Sequence, residues 1–161
     1  RTDQFSVLAL MVPRFTVATI GTIVGKYGSS TVNGGWRLTK TPSGELEFDF
    51  QNTPSSLIVV FTTTPPLVAN LAAVIIATYD GRSAADGVTL YIDGVSQVLS
   101  VSSNSLTATA KTTAAFQVGR SAGAIAGANH EFEGALGSIA VWRRLLSTAE
   151  IRKFTALAGY L

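Results

Sequence analysis

A chain of 161 residues has the size of one domain and can bury a core without disulfides, and with no cysteine it holds neither a disulfide framework nor a thiolate metal site. Charged residues are 14% of the chain against roughly 25% in ordinary soluble domains, so the surface is poor in charge and part of it is expected to lie against a partner. The net charge of +2 is too small for a nucleic-acid track, and the longest apolar run, residues 71–77, is far shorter than the ~20 residues that cross a bilayer, so neither nucleic acid nor membrane insertion is expected.

In chain order, short runs in which apolar residues alternate with small or polar ones occupy 5–12, 21–26, 36–40, 46–50 and 56–61. They continue at 74–79, 88–92, 95–101, 116–118 and 136–142, with Pro, Gly, Asn and Ser clusters between them. About ten strands with no helix-period segment among them predict a sandwich or barrel. Asp93-Gly94 supplies the positive φ values of a two-residue hairpin turn between residues 88–92 and 95–98. Ser147-Thr148-Ala149-Glu150 has the form of a capping box. Ile151, Phe154, Leu157 and Ala158 follow at helical spacing and Gly159 offers a stop, which predicts one short helix packed by a single apolar face. Stretches 28–35, 62–66, 102–113 and 121–129 read as loops. No repeat or linker divides the chain, so residues 1–161 are taken as a single domain.

Six motifs in the second half then fall into a familiar order: Tyr79-Asp80-Gly81, Leu90-Tyr91-Ile92-Asp93-Gly94, Phe116-Gln117-Val118-Gly119, Phe132-Glu133-Gly134, Ile139-Ala140-Val141-Trp142 and Leu146 through Ile151. Ile23-Val24-Gly25-Lys26, Gly35-Trp36-Arg37-Leu38 and Gly44-Glu45-Leu46-Glu47-Phe48 extend the match through the first half. In this the chain resembles the laminin G-like, pentraxin and concanavalin A-like lectin group. The resemblance implies an all-β fold, a jelly-roll sandwich of two antiparallel sheets, in a family used for carbohydrate recognition, adhesion and assembly outside cells or on virus particles. Pentraxin-like members hold calcium with an acidic run after the strand that matches residues 116–119. Arg120-Ser121-Ala122-Gly123 stands there in this chain, so no metal or other cofactor is expected.

Three constellations bear on catalysis. Gly119-Arg120-Ser121-Ala122-Gly123 fits the pattern of a nucleophile elbow, but the single histidine, His130, precedes every remaining carboxylate, against the order such hydrolases use. Glu45, Glu47 and Asp49 alternate along one strand as carboxylates do in sandwich-fold glucanases. One strand supplies no opposed pair, however, and a solvent-facing acidic row accounts for the pattern. His130 has no partners at ligand spacing and reads as an ordinary loop histidine. Arg143-Arg144 with Arg152-Lys153 reads as a solvated basic face.

The chain is therefore expected to be a non-catalytic recognition or adhesion module for carbohydrate on a cell or host surface. Loop placement makes Tyr27, Asn33, Trp36, Arg37, Arg82, Asn129 and His130 the candidate ligand-binding residues, while Trp142 and Tyr91 are expected in the core. The rival expectation is a structural role in assembly or decoration of a virion, through contacts with another protein chain in an oligomer or larger assembly. Either role places the domain extracellularly, on a cell surface or on a virion. A glycoside hydrolase is the third and weakest alternative.

Overall fold

The computed structural model describes residues 3–16, 20–28, 34–120 and 130–158, with residues 157 and 158 described by their backbone alone. Asn33, Ser121, Asn129, Gly159 and Tyr160 lie outside the described residues.

Eleven strands are described, β1 (Phe5–Pro13), β2 (Gly21–Tyr27), β3 (Gly35–Lys40), β4 (Leu46–Thr53), β5 (Ser56–Thr62), β6 (Ala73–Tyr79), β7 (Val88–Ile92), β8 (Val95–Ser96), β9 (Leu99–Asn104), β10 (Gln117–Val118) and β11 (Gly134–Trp142), with one helix, α1 (Thr148–Ala158). They form two antiparallel sheets, a five-stranded one in the order β11-β1-β6-β7-β8 and a six-stranded one in the order β10-β2-β3-β4-β5-β9. The all-β sandwich with one short C-terminal helix is thus the observed architecture.

Alternation along the strands decides what lies between the sheets. Leu46, Phe48 and Phe50 of β4, Val24 of β2, Leu38 of β3 and Ile58 and Val60 of β5 face Val7, Ala9 and Met11 of β1, Ile75 and Ala77 of β6 and Leu90 of β7. Strand β6 is buried at every position because both its faces are covered. Its other face carries Val74 and Ile76, which pack with Leu8, Leu146, Ile151, Trp142, Tyr91 and Phe154 into a second core beneath α1.

That helix starts where its capping box predicts. The Glu150 amide donates to Ser147 Oγ at 3.3 Å, and the Glu150 carboxylate accepts the Ser147 amide at 2.9 Å. Arg144 forks onto the same carboxylate at 2.6 and 2.8 Å. The Asp93-Gly94 turn is present with both φ values positive, at 49° and 79°.

Two strand expectations need correction. Residues 95–101 form two strands rather than one: β8 edges the five-stranded sheet and β9 edges the six-stranded one. Between them the Gln97 amide still donates to Leu90 at 2.9 Å, while Val98 already accepts from Thr63 at 3.1 Å, so the chain changes sheets there. Residues 102–104, expected in a loop, continue β9 because β5 supplies their ladder partners.

Candidate functional site

Two places in the sandwich bring polar chemistry together. The first is the outer face of the six-stranded sheet. Hairpin register sets Arg37 of β3 opposite Asp49 of β4 and Gly25 of β2, with Thr39 opposite Glu47 and Thr22. Arg37 Nε donates to Asp49 Oδ2 at 2.5 Å, its guanidinium stands 3.9 Å from Glu47 Oε1, and its Cζ lies 4.6 Å from the Tyr27 ring centroid. The Tyr27 hydroxyl donates to Gln51 Oε1.

This network is closed from solvent: Asp49 is 4% exposed and Tyr27 5%. Burial outweighs the attraction of Arg37 and pushes the Asp49 carboxyl up to about 7. Burial, then the charge of Asp49, pushes the Tyr27 phenol up to about 12. Glu47 is also raised by burial, with Arg37 opposing. His130 is buried, its Nδ1 has no hydrogen-bond partner among the described residues, and burial followed by the charge of Arg37 lowers its pKa. A cation held by two carboxylates on one strand, with an aromatic ring over it, is an arrangement that fixes three strands to one another.

The second place is the open end of the sandwich, where both sheets begin or end. A cavity of about 460 Å³ lies there, lined by Phe5 and Tyr79 from the five-stranded sheet, Lys26, Trp36 and Phe50 from the six-stranded sheet, Asp3, Arg143 and the segment 106–112. Lys26 and Trp36 are register partners on the inner face, so the last inward positions of β2 and β3 open into this space. Phe5 anchors the aromatic wall, 5.1 Å from Trp36, 5.9 Å from Phe50 and 6.1 Å from Tyr79 between ring centroids.

The covering segment links β9 at one edge of the six-stranded sheet to β10 at the other and is pinned on the way. Asn52 Nδ2 donates to the Thr109 carbonyl at 2.8 Å, and the Thr107 amide donates to Ser56 Oγ at 2.9 Å. Thr112 sits against Gly35, where an added Cβ would come within 2.8 Å of Thr112 Cγ2 and 2.0 Å of the Lys26 carbonyl oxygen. With φ at +125°, Gly35 is required both by its backbone and by this close approach. The result is a preformed recess with aromatic rings, two threonine hydroxyls and three cationic side chains around it.

The sequence-predicted residues divide between these places. Tyr27 and Arg37 fall together on the outer face, and His130, in a loop as expected, is buried near them. Trp36 lines the end cavity. Arg82 is exposed on the β6–β7 connection, tied to Asp80 at 2.5 Å and to Asp86 at 3.8 Å, and belongs to neither group. The acidic row faces outward and is solvated only in part: Asp49 is buried on Arg37, while Glu45, before β4, is partly exposed and accepts hydrogen bonds from Thr41 and Ser43. Arg143 is exposed, as expected of a solvated basic face, and also borders the cavity. Phe5, Lys26 and Lys111 were missed, although the pairing of β2 with β3 through a Gly-rich connection carries the signal that Lys26 shares a face with Trp36. Among the described residues no three His, Cys, Asp or Glu side chains gather in a way that would hold a metal ion.

The comparisons agree on the fold. A family model described as "Concanavalin A-like lectin/glucanases superfamily" matches residues 1–152. Among curated proteins none matches the sequence. The Ruminococcus gnavus IT-sialidase CBM40, solved also with α2,3 sialyllactose, superposes with a TM-score of 0.70 at 15% identity, over 96% of this chain and 83% of that one. The native heptameric SAP-like pentraxin of Limulus polyphemus gives 0.60 at 18% identity, over 96% and 70%. Trypanosoma rangeli sialidase gives 0.64 at 15% identity, over 98% of this chain and 23% of that one. At these identities the likeness is one of fold.

Proposed function

Because the chain belongs to the concanavalin A-like lectin/glucanases superfamily, we propose that it is a non-catalytic carbohydrate-binding module whose glycan enters the cavity at the open end of the sandwich. The observation that carries this reading is the cavity itself. Its volume of about 460 Å³ suits one or two sugar rings, and its lining alternates ring faces with hydroxyl and ammonium donors. The sialyllactose bound by the Ruminococcus gnavus domain supports the ligand class.

Hydrolysis is disfavoured by the arrangement of the acids. Glu47 and Asp49 lie on one strand and share Arg37, whereas glycoside cleavage needs carboxyl groups opposed across a cleft. The test uses the two tryptophans. In a Trp142→Phe variant, Trp36 remains as the fluorescent reporter in the cavity wall. A glycan that binds on an array and changes this emission supports the module; a blank array from a folded sample refutes it.

A second reading, assembly with other protein chains, draws on Val95, Val98 and Val101, which are 64%, 74% and 53% exposed along the β8–β9 edge. It requires a concentration-dependent oligomer in sedimentation that Val98→Lys dissolves; a monomer at all concentrations removes self-assembly.

A further inference from the structure

The end cavity carries an excess of positive charge that its own walls do not neutralise. Lys26, Lys111 and Arg143 border it, with Asp3 as the single acid among the lining residues. Arg37, Arg82 and Arg144 are each held by carboxylates, but among the described residues none of the three cavity cations makes an ion pair. They come from different parts of the chain: the end of β2, the segment crossing from β9 to β10, and the residue after β11. Convergence of three unpaired cations on one recess, in a chain whose net charge is only +2, is a local field and not a general property of the surface.

Two further features give this field a recognisable complement. Thr109 Oγ1 accepts the Lys111 amide at 3.2 Å and Thr112 Oγ1 accepts the Ala114 amide at 3.1 Å, so each hydroxyl keeps its proton for donation elsewhere. Both line the same space, as do Trp36 and Phe5. A neutral sugar would use the rings and hydroxyls and leave the cations without a partner. A bare inorganic anion would satisfy the cations and leave the aromatic wall unused.

Resting on the reading of this cavity as the glycan site, we propose that the module is selective for acidic saccharides, with the sugar's carboxylate held by Lys26, Lys111 and Arg143 and its ring set against Trp36 and Phe5. Carboxylate recognition by a lysine pair and an arginine is charge-assisted.

Matched ligands separate this proposal from the one beneath it. Methyl β-D-glucuronide against methyl β-D-glucoside, and sialyllactose against its sialic acid methyl ester, differ at the acid group while keeping every sugar ring. Titrations followed by amide NMR should place the shifts at residues 26, 36, 109–112 and 143, with the acidic member of at least one pair binding about tenfold or more tightly than its neutral counterpart. Lys111→Gln and Arg143→Gln, both at exposed positions, should each weaken the acidic ligand by about threefold to tenfold and leave thermal unfolding unchanged. Neutral members that bind as tightly as acidic ones overturn the selectivity but leave the carbohydrate module standing. Inorganic phosphate that shifts the same amides as strongly as the acidic sugars overturns saccharide selectivity in favour of simple anion binding. Absence of any shift at the cavity with every saccharide overturns both proposals.

Discussion

Replacing Asp49 by Asn should change how the stability of this domain depends on pH, and the structure gives the sign and the size. The carboxyl is raised from 3.8 in the unfolded chain to about 7 in the folded one, because burial penalises its charge more than Arg37 favours it. A folded state that holds the proton more tightly than the unfolded state loses stability as pH rises between those two values. For this single group the loss between pH 5 and pH 7 is about 2 kcal/mol, because holding one extra proton in the folded state costs about 1.4 kcal/mol for each pH unit climbed. His130 works in the opposite direction: its folded pKa is lowered, so its contribution to stability grows as pH rises toward 6.5. Comparing the parent with Asp49→Asn cancels the histidine, since Asn still accepts from Arg37 but does not titrate. Urea unfolding at several pH values should give a parent that loses about 2 kcal/mol relative to the variant from pH 5 to pH 7. Parallel stability curves for the two proteins would refute the account of Asp49 as a buried, proton-holding carboxyl.

Other perturbations test other parts of the structure. Gly35→Ala should cost about 3 kcal/mol or more, since its Cβ would meet the Lys26 carbonyl at 2.0 Å in a left-handed backbone; an unchanged urea midpoint would contradict that geometry. Lys40 is fully buried, its Nζ has no hydrogen-bond partner among the described residues and sits above the Phe15 ring, and burial lowers its pKa against the charge of Glu133. Lys40→Met should therefore stabilise the domain by about 1 kcal/mol at neutral pH and abolish the gain in stability that the parent shows as pH climbs toward 10.5. Ser147→Ala should cost about 1 kcal/mol by removing the cap of α1, read as a lowered melting temperature. Hydrogen bonds from Arg144 and Ser147 hold Glu150 down at about 2, so its support for the helix is present above about pH 4.5 and disappears as pH falls toward 2; far-ultraviolet circular dichroism of Glu150→Gln should lack that acid transition.

The strands, the Asp93-Gly94 hairpin and the capped helix were legible in the sequence because each is written locally, in two-residue alternation, a φ-permissive dipeptide or a four-residue cap. What local pattern leaves open is which face a residue shares with residues on other strands. Trp36 and Arg37 are neighbours in the chain, yet alternation sends one to the end cavity and the other to the outer face. Glu47 and Asp49 looked solvated because an outward row on an antiparallel sheet usually is, and nothing near them in sequence announces Arg37 as their partner until β3 and β4 are paired. Lys111 and Arg143 are distant in the chain, from each other and from Lys26, and their meeting is a product of topology alone. The switch of sheets at residues 97–98 leaves a mark, since Ser96-Gln97 and Val98-Leu99 interrupt the alternation, but that interruption does not record which sheet each half joins.

The cavity takes one wall from each sheet, with Phe5 and Tyr79 on one side and Trp36 and Phe50 on the other. Its width is therefore the gap between the sheets, and that gap is held open by the volumes of interior side chains such as Phe48, Ile75 and Leu90. Trimming one of them would let the layers settle together and narrow the mouth well before the fold is lost. In a domain built this way the interior acts as a spacer that calibrates the aperture, so affinity for a ligand at the rim becomes a gauge of packing deep inside.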